Sequence, residues 1–287
     1  MDVLRRSFGT VIDVAAGGFA GTVGAAIEAH RLPPDDHRPW PLPREPWVMA
    51  QTWEHLLFAH WPVSKSWLES VVPASVPIDT FDGEAWLTIS PFQMRHVRLR
   101  GLPAVPGLSD FHEINVRTYV TVGGKPGIWF FSLDADTRFG VQAARLWYRL
   151  PYFFATVGFE AHGERVSVAT QRAHAGAPAA TLSVRYAPAG DVVRARHGTL
   201  DWWLTERYCL YAHDDDGILL RAEIHHPPWP LQNADARIAA NTMTDGFTGP
   251  TRGAPALVHY SRRLDVVTWR PRVVGETRRR PRMPGVA

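Results

Sequence analysis

The segment Glu113-Ile114-Asn115-Val116-Arg117-Thr118-Tyr119 holds the densest set of side chains able to do chemistry. In a strand, successive side chains point to opposite faces, so Glu113, Asn115, Arg117 and Tyr119 share one face and Ile114, Val116 and Thr118 the other. Two readings of that polar face stand side by side. A half-buried antiparallel strand can simply turn it to water. Turned inward, the same face makes a site: the Arg117 guanidinium offers a planar fork for a carboxylate, Glu113 can move a proton, and Asn115 and Tyr119 can orient a ligand. On the second reading Glu113 and Arg117 are the candidate catalytic residues and Asn115 and Tyr119 the first binding residues.

Two further clusters can complete such a site. Leu204-Thr205-Glu206-Arg207-Tyr208-Cys209-Leu210-Tyr211 supplies Glu206, Arg207 and Tyr208, and Ile224-His225-His226-Pro227-Pro228-Trp229-Pro230-Leu231 supplies His225 and Trp229. Prolines around Trp229 stiffen that stretch and suit it to closing one end of a pocket. Other chemistries find less support. His112, His225, His226 and His259 are candidate metal ligands, but no pair has a metal-binding spacing with a carboxylate at a fixed offset, and adjacent strand histidines point apart. No Gly-x-Ser-x-Gly elbow, P-loop or dinucleotide fingerprint occurs, so no cofactor and no metal is expected. Cys209 reads as a buried small hydrophobe.

The elements that must position these groups change character along the chain. Residues 30–47 carry Pro33, Pro34, Pro39, Pro41, Pro43 and Pro46, which predicts an extended linker. Thr52–Trp61 and Ser64–Val72 read as short helices, the second with Ser64 as N-cap and Pro73 as stop. From Asp79 onward the period becomes two, predicting strands over Ala85–Phe92, Glu113–Val122, Gly127–Asp134, Arg165–Arg172, Thr181–Ala187, Ile218–His226 and Leu257–Trp269. Val141–Leu150, Thr199–Thr205 and Asn233–Asn241 are the predicted helical interruptions. Many strands at short spacing imply a closed or strongly bent sheet.

Composition sets the outer bounds. The chain has 287 residues, 45% hydrophobic and 21% charged, with 12 tryptophans, which is globular usage. Its formal charge of +3 rests heavily on Arg278, Arg279, Arg280 and Arg282 near the C-terminus, a pattern of a solvated tail rather than a nucleic-acid surface. A single cysteine excludes an internal disulfide and fits the cytoplasm. Val11–Ala29 is apolar but interrupted by Asp13 and Glu28, so a packing helix is expected there rather than a signal or a membrane anchor.

Taken in order, Gln51-Thr52-Trp53, Phe58-Ala59-His60-Trp61, Asp79–Gly83, Glu113–Val120, Pro126–Ala135, Leu150-Pro151-Tyr152, Thr199–Tyr211, His225–Leu231 and Val258–Asp265 resemble the YqjF-like family of uncharacterised bacterial proteins. That family resembles acetoacetate decarboxylase in fold. The resemblance implies an α+β, mainly β architecture: a mixed, largely antiparallel β-barrel with a central polar cavity and a few peripheral helices, over residues 48–270. Residues 1–47 are then a helical extension and linker, and 271–287 a basic disordered tail. The decarboxylases use a lysine amine to form a Schiff base. Where they carry a Pro-Lys pair, this chain has Pro151-Tyr152, which adds Tyr152 to the binding residues and removes the amine. Lys65 and Lys125 are its only lysines, expected to be solvated in a surface helix and a glycine turn. The combined expectation is a polar cavity for a small anionic or oxo-acid-like molecule, with lysine-independent acid/base chemistry or plain binding, and with no nucleic-acid partner and no stable membrane insertion. A homo-oligomer is compatible with all of this.

Overall fold

A computed structural model describes residue 32 and residues 34–214, 216–247 and 253–276. The helix expected at Val11–Ala29 and the four arginines of the tail lie outside these. Among the described residues no helix is long and apolar enough to cross a membrane.

Among the described residues twelve strands form one sheet. In chain order they are β1 (Met49–Val63), β2 (Ala85–Leu99), β3 (Phe111–Val122), β4 (Lys125–Ala135), β5 (Tyr152–His162), β6 (Arg165–Arg172), β7 (Thr181–Val193), β8 (Cys209–His213), β9 (Ile218–His225), β10 (Leu231–Asn241), β11 (Leu257–Thr268) and β12 (Arg272–Glu276). The order is β12-β9-β8-β4-β3-β2-β1-β11-β10-β7-β6-β5, and two further pairings, β9 with β11 and β4 with β5, close the sheet on itself. The sheet is mixed. β4 runs parallel to both β5 and β8, at the two places where the chain returns to it through helical crossovers.

Among the described residues three α-helices decorate the sheet: α1 (Lys65–Val71), α2 (Arg138–Trp147) and α3 (Leu200–Thr205). Ser64, Thr137 and Thr199 cap them, each hydroxyl accepting from a backbone N–H of the first turn. Two stretches expected to be helical are strands. Thr52–Trp61 is the middle of β1, and Asn233–Asn241 belongs to β10. β1 is paired on both edges and nearly buried throughout, so its apolar residues on both faces mimic a helical distribution. β10 is rich in alanine, a helix former, yet its exposure alternates residue by residue and it pairs along β7.

One bulge in β1 has consequences for the site. Glu54 pairs with Gln93 and Ala59 with Ile89, so β1 spends one residue more than β2 over this stretch, and His55 sits there at φ 52. The extra residue switches parity. Met49, Gln51 and Trp53 face inward before it, and Leu56 faces the same interior after it.

The segment between residues 34 and 48 is packed rather than a free linker. Arg38 is buried, donating to the Ile224 carbonyl at 2.6 Å and to Glu223 at 3.2 Å, and the Trp40 indole donates to the same carboxylate at 2.7 Å. Lys125 joins this cluster. Its ammonium lies 2.9 Å from Glu223 and over the Trp40 ring, so it is held in a network rather than solvated. At the other end, β12 extends the sheet to residue 276 through its pairing with β9, beyond the boundary at 270.

The close approach of β4 to β8 depends on Gly127. A Cβ there would meet the Tyr211 ring at 2.6 Å, the Cys209 sulfur at 2.7 Å and the Cys209 carbonyl at 2.8 Å. Gly127→Ala is therefore expected to destabilise the fold by about 2 kcal/mol, because the backbone carbonyl cannot move aside as a side-chain tip would. Urea unfolding checks this, and an unchanged midpoint would contradict it.

Candidate functional site

The pairing of β9 with β11 makes a ring of β9, β8, β4, β3, β2, β1 and β11, and every one of these strands contributes to the lining of one interior cavity of about 110 Å³. A void of ~150 Å³ admits a benzene molecule, so this space fits a ligand of a few heavy atoms. Both faces of β3 are buried, and the polar face of Glu113, Asn115 and Arg117 turns into the cavity rather than to water.

Glu113 is 2% exposed, accepts a 2.7 Å hydrogen bond from the Tyr152 hydroxyl, and is also hydrogen-bonded by Asn115. Burial pushes its carboxyl up from the ordinary value of 4.5 to about 7, the two hydrogen bonds only partly opposing it. Arg117 is buried with its guanidinium 4.9 Å from the Phe58 ring centre, and burial lowers its proton affinity. Among the described residues no carboxylate forms an ion pair with it. It is hydrogen-bonded instead to the Tyr119 hydroxyl. Glu113 and Arg117 thus share the cavity without neutralising each other.

Arg207 also lines the cavity, anchored from behind. One terminal nitrogen lies 2.6 Å from Asp79, and Nε donates to the Trp203 carbonyl at 2.7 Å. Its other terminal nitrogen, Nη2, is buried with no partner among the described residues. The same holds for Arg117 Nε, Trp229 Nε1 and Asn115 Oδ1. All four belong to cavity-lining residues. An unsatisfied buried polar group costs on the order of 1–3 kcal/mol, so these four atoms on lining residues make the wall a place that gives up stability, as do single buried polar atoms of Trp86, Ser90, Ser132, Thr170 and Ser261 outside the lining.

The remaining sequence candidates sit behind this wall. Tyr119 is fully buried under Trp203 and bonded to Thr88. Glu206 and Tyr208 precede β8 rather than belonging to it. They are hydrogen-bonded to each other, and the second Glu206 oxygen accepts from the backbone N–H of Trp229 at 3.0 Å. Burial raises the Glu206 carboxyl above its ordinary value. His225 faces away toward His37 and Arg38, while its neighbour His226 lines the cavity as a neutral imidazole, its value lowered to about 4 by burial. Among the described residues no group of three metal-ligating side chains occurs. Cys209 lines the cavity too, but burial raises its thiol to about 12, which removes it as a nucleophile at neutral pH.

Several lining residues were not singled out from the sequence. Gln51 and Trp53, joined by a 2.8 Å hydrogen bond, share a face of β1 with Met49, an alternation hidden by reading that stretch as a helix. Tyr148, at the end of α2, reaches Thr268 at 2.7 Å, and nothing in its local sequence signals that role.

The family model of the uncharacterized conserved proteins designated DUF2071 matches residues 50–265. The chain belongs to this family. It is 44% identical to the uncharacterized protein YqjF of Bacillus subtilis over 225 residues, which is 78% of this chain and 91% of that one. Solved structures with the same fold include acetoacetate decarboxylase from Legionella pneumophila, at a TM-score of 0.55 and 12% identity, covering 87% of this chain and 98% of that one. The enduracididine biosynthesis enzyme MppR complexed with pyruvate matches at a TM-score of 0.56 and 11% identity, over 81% of this chain and 92% of that one. At such identities the likeness concerns the fold alone. Neither lysine of this DUF2071 protein lines the cavity: Lys125 is bound to Glu223, and Lys65 pairs with Glu69 on the exposed face of α1.

Proposed function

We propose that the ring acts as a barrel enclosing a binding site for a small 2-oxo acid, in which Arg117 receives the carboxylate and Glu113 moves a proton at the carbon beside the ketone. The observation that carries this reading is that Arg117, with which no carboxylate pairs among the described residues, lines one cavity together with Arg207 and Trp229, each of the three carrying a buried donor without a partner among the described residues. A carboxylate and an adjacent carbonyl supply the acceptors that those donors lack. Pyruvate bound to the structural neighbour MppR makes it the natural probe. Glu113, poised near neutrality, can take a methyl proton from pyruvate and return it, while Arg117 and Arg207 offset the enolate charge. Asn115, Tyr152 and Trp229 orient the ligand, with Tyr119, Glu206, Tyr208 and His225 supporting the wall from behind.

Isothermal calorimetry with pyruvate is expected to show binding. Proton NMR in deuterated buffer is expected to show methyl exchange that Glu113→Gln abolishes. Borohydride added with pyruvate is expected to leave Lys65 and Lys125 unmodified by mass spectrometry. No binding would end the proposal, and an adduct on Lys125 would replace it with Schiff-base chemistry. A second reading, binding without catalysis, is favoured by Cys209, the one thiol of the lining, being held protonated. Binding without accelerated exchange would establish it.

A further inference from the structure

A line of hydrogen bonds leaves the cavity from Arg117 and crosses four strands. Tyr119 on β3 is bonded to Arg117, and its hydroxyl lies 2.7 Å from Thr88 Oγ1 on β2. Thr88 Oγ1 lies 2.8 Å from His60 Nδ1 on β1, His60 Nε2 lies 3.4 Å from His259 Nδ1 on β11, and His259 Nε2 lies 3.3 Å from Asp201 on α3. Tyr119, Thr88 and His60 have no exposure and His259 has 3%, whereas the Asp201 side chain is 46% exposed. The line therefore joins the interior guanidinium to a carboxylate at the surface.

The two ends fix the direction of every link. A guanidinium can only donate, and an ionised carboxylate can only accept. The hydrogen bond with His259 holds Asp201 below its ordinary value and so ionised. Asp201 must then accept from Nε2–H of His259, and at the other end the Tyr119 oxygen, facing a group that only donates, sends its hydroxyl proton toward Thr88 and so directs Nε2–H of His60 to His259 Nδ1. His60 is neutral, since burial, with the charge of Arg117 nearby, depresses its proton affinity. Its Nδ1 therefore accepts from Thr88, whose oxygen accepts from the Tyr119 hydroxyl, and the Tyr119 oxygen is left facing Arg117 with its lone pairs. No link is frustrated. The bulge at His55 is what makes this geometry available, since without it β1 would turn His60 to its other face.

We infer that Asp201, His259, His60, Thr88 and Tyr119 form one directed relay through which Asp201 at the surface positions the guanidinium of Arg117 for its anionic ligand. The affinity part of this inference rests on the function proposed above; the relay itself does not. Asp201 through Thr88 touch no ligand and are positioning residues. Chains of this kind strengthen cooperatively when all members are satisfied.

The test separates the two claims. In the full-length protein without ligand, nitrogen-15 NMR of the histidine side chains is expected to find His60 and His259 both as the neutral Nε2–H tautomer. Protonation of His60 on Nδ1 would overturn the relay whether or not pyruvate binds. With pyruvate as probe, Asp201→Ala is expected to weaken binding about fivefold, Asp201→Asn to restore most of it by keeping an acceptor oxygen, and Thr88→Val to weaken binding by a similar factor. Combined, Asp201→Ala and Thr88→Val should cost no more than either alone, because both cut the same line. Independent, multiplicative losses would reduce these residues to ordinary core and surface positions. Should pyruvate fail to bind the wild type, the proposed function falls while the tautomers still decide the relay.

Discussion

Replacing Arg117 with methionine is expected to abolish measurable pyruvate binding while making the unliganded protein more stable. The two effects have one origin. The guanidinium is buried, its Nε lacks a partner, and no carboxylate pairs with it among the described residues. Hydrogen bonds to charged groups contribute roughly 1.5–3 kcal/mol each, so losing a two-pronged contact predicts a drop in affinity on the order of 100-fold or more. Without ligand, the same group is a desolvated charge with little compensation. Replacing whole buried ion pairs by apolar side chains of similar volume is often neutral or stabilising by roughly 1–4 kcal/mol, and a lone buried charge has even less attraction to lose. Methionine fills the space beside Phe58 without a polar atom to bury. Calorimetry and urea unfolding on one preparation read both quantities. A destabilised variant would mean that Arg117 holds the ring together and is not held ready for a ligand. Arg117→Lys adds a control, since it keeps the charge and loses the fork.

This opposition of stability and binding explains which parts of the site were legible beforehand. The alternation in Glu113–Tyr119 fixes which side chains share a face, but burial of that face depends on β2 and β4 lying on either side and on closure by β9 and β11, contacts remote in sequence. β1 was misread because a strand buried on both faces loses the alternation that identifies it, and with it went Gln51, Trp53 and the meaning of His60. His225 and His226 differ only in direction. Parity separates His225, the last residue of β9, from His226 just after it, but the zero point of that parity is set by the pairing of His225 with Val267 on β11. Arg38 and Trp40 lay in a proline-rich stretch whose composition says only that it is extended, and extended chain packs against Glu223 as readily as it swings free. The family resemblance supplied the architecture and the missing amine. It could not supply the relay, whose members are spread from residue 60 to residue 259 and meet only across the folded sheet.

Glu113 gives the second large effect, and its sign is set by burial. The carboxyl is raised from 4.5 to about 7 in the folded protein, with desolvation as the leading cause. Below about pH 4.5 it is protonated in both folded and unfolded chains and contributes no pH dependence. Between about 4.5 and 7 the unfolded chain gives up its proton first, so this residue lowers stability as pH rises. Above about pH 7 it is ionised in both states, and the accumulated cost is constant at about 3 kcal/mol. Glu113→Gln keeps an oxygen to accept from Tyr152 and removes the ionisation. The variant is therefore expected to match the wild type near pH 4.5 and to exceed it at pH 8 by up to about 3 kcal/mol, as read from urea unfolding at the two values. Ligand binding should follow the same titration with a simple logic. An ionised Glu113 opposes a carboxylate held at Arg117, so pyruvate affinity of the wild type should fall about tenfold between pH 6 and 8, and that of Glu113→Gln should stay flat. Stability curves that run parallel for the two proteins would show that Glu113 is ionised across this range, and the carboxylate would then be a fixed charge in the wall rather than a group that exchanges protons with what the cavity holds.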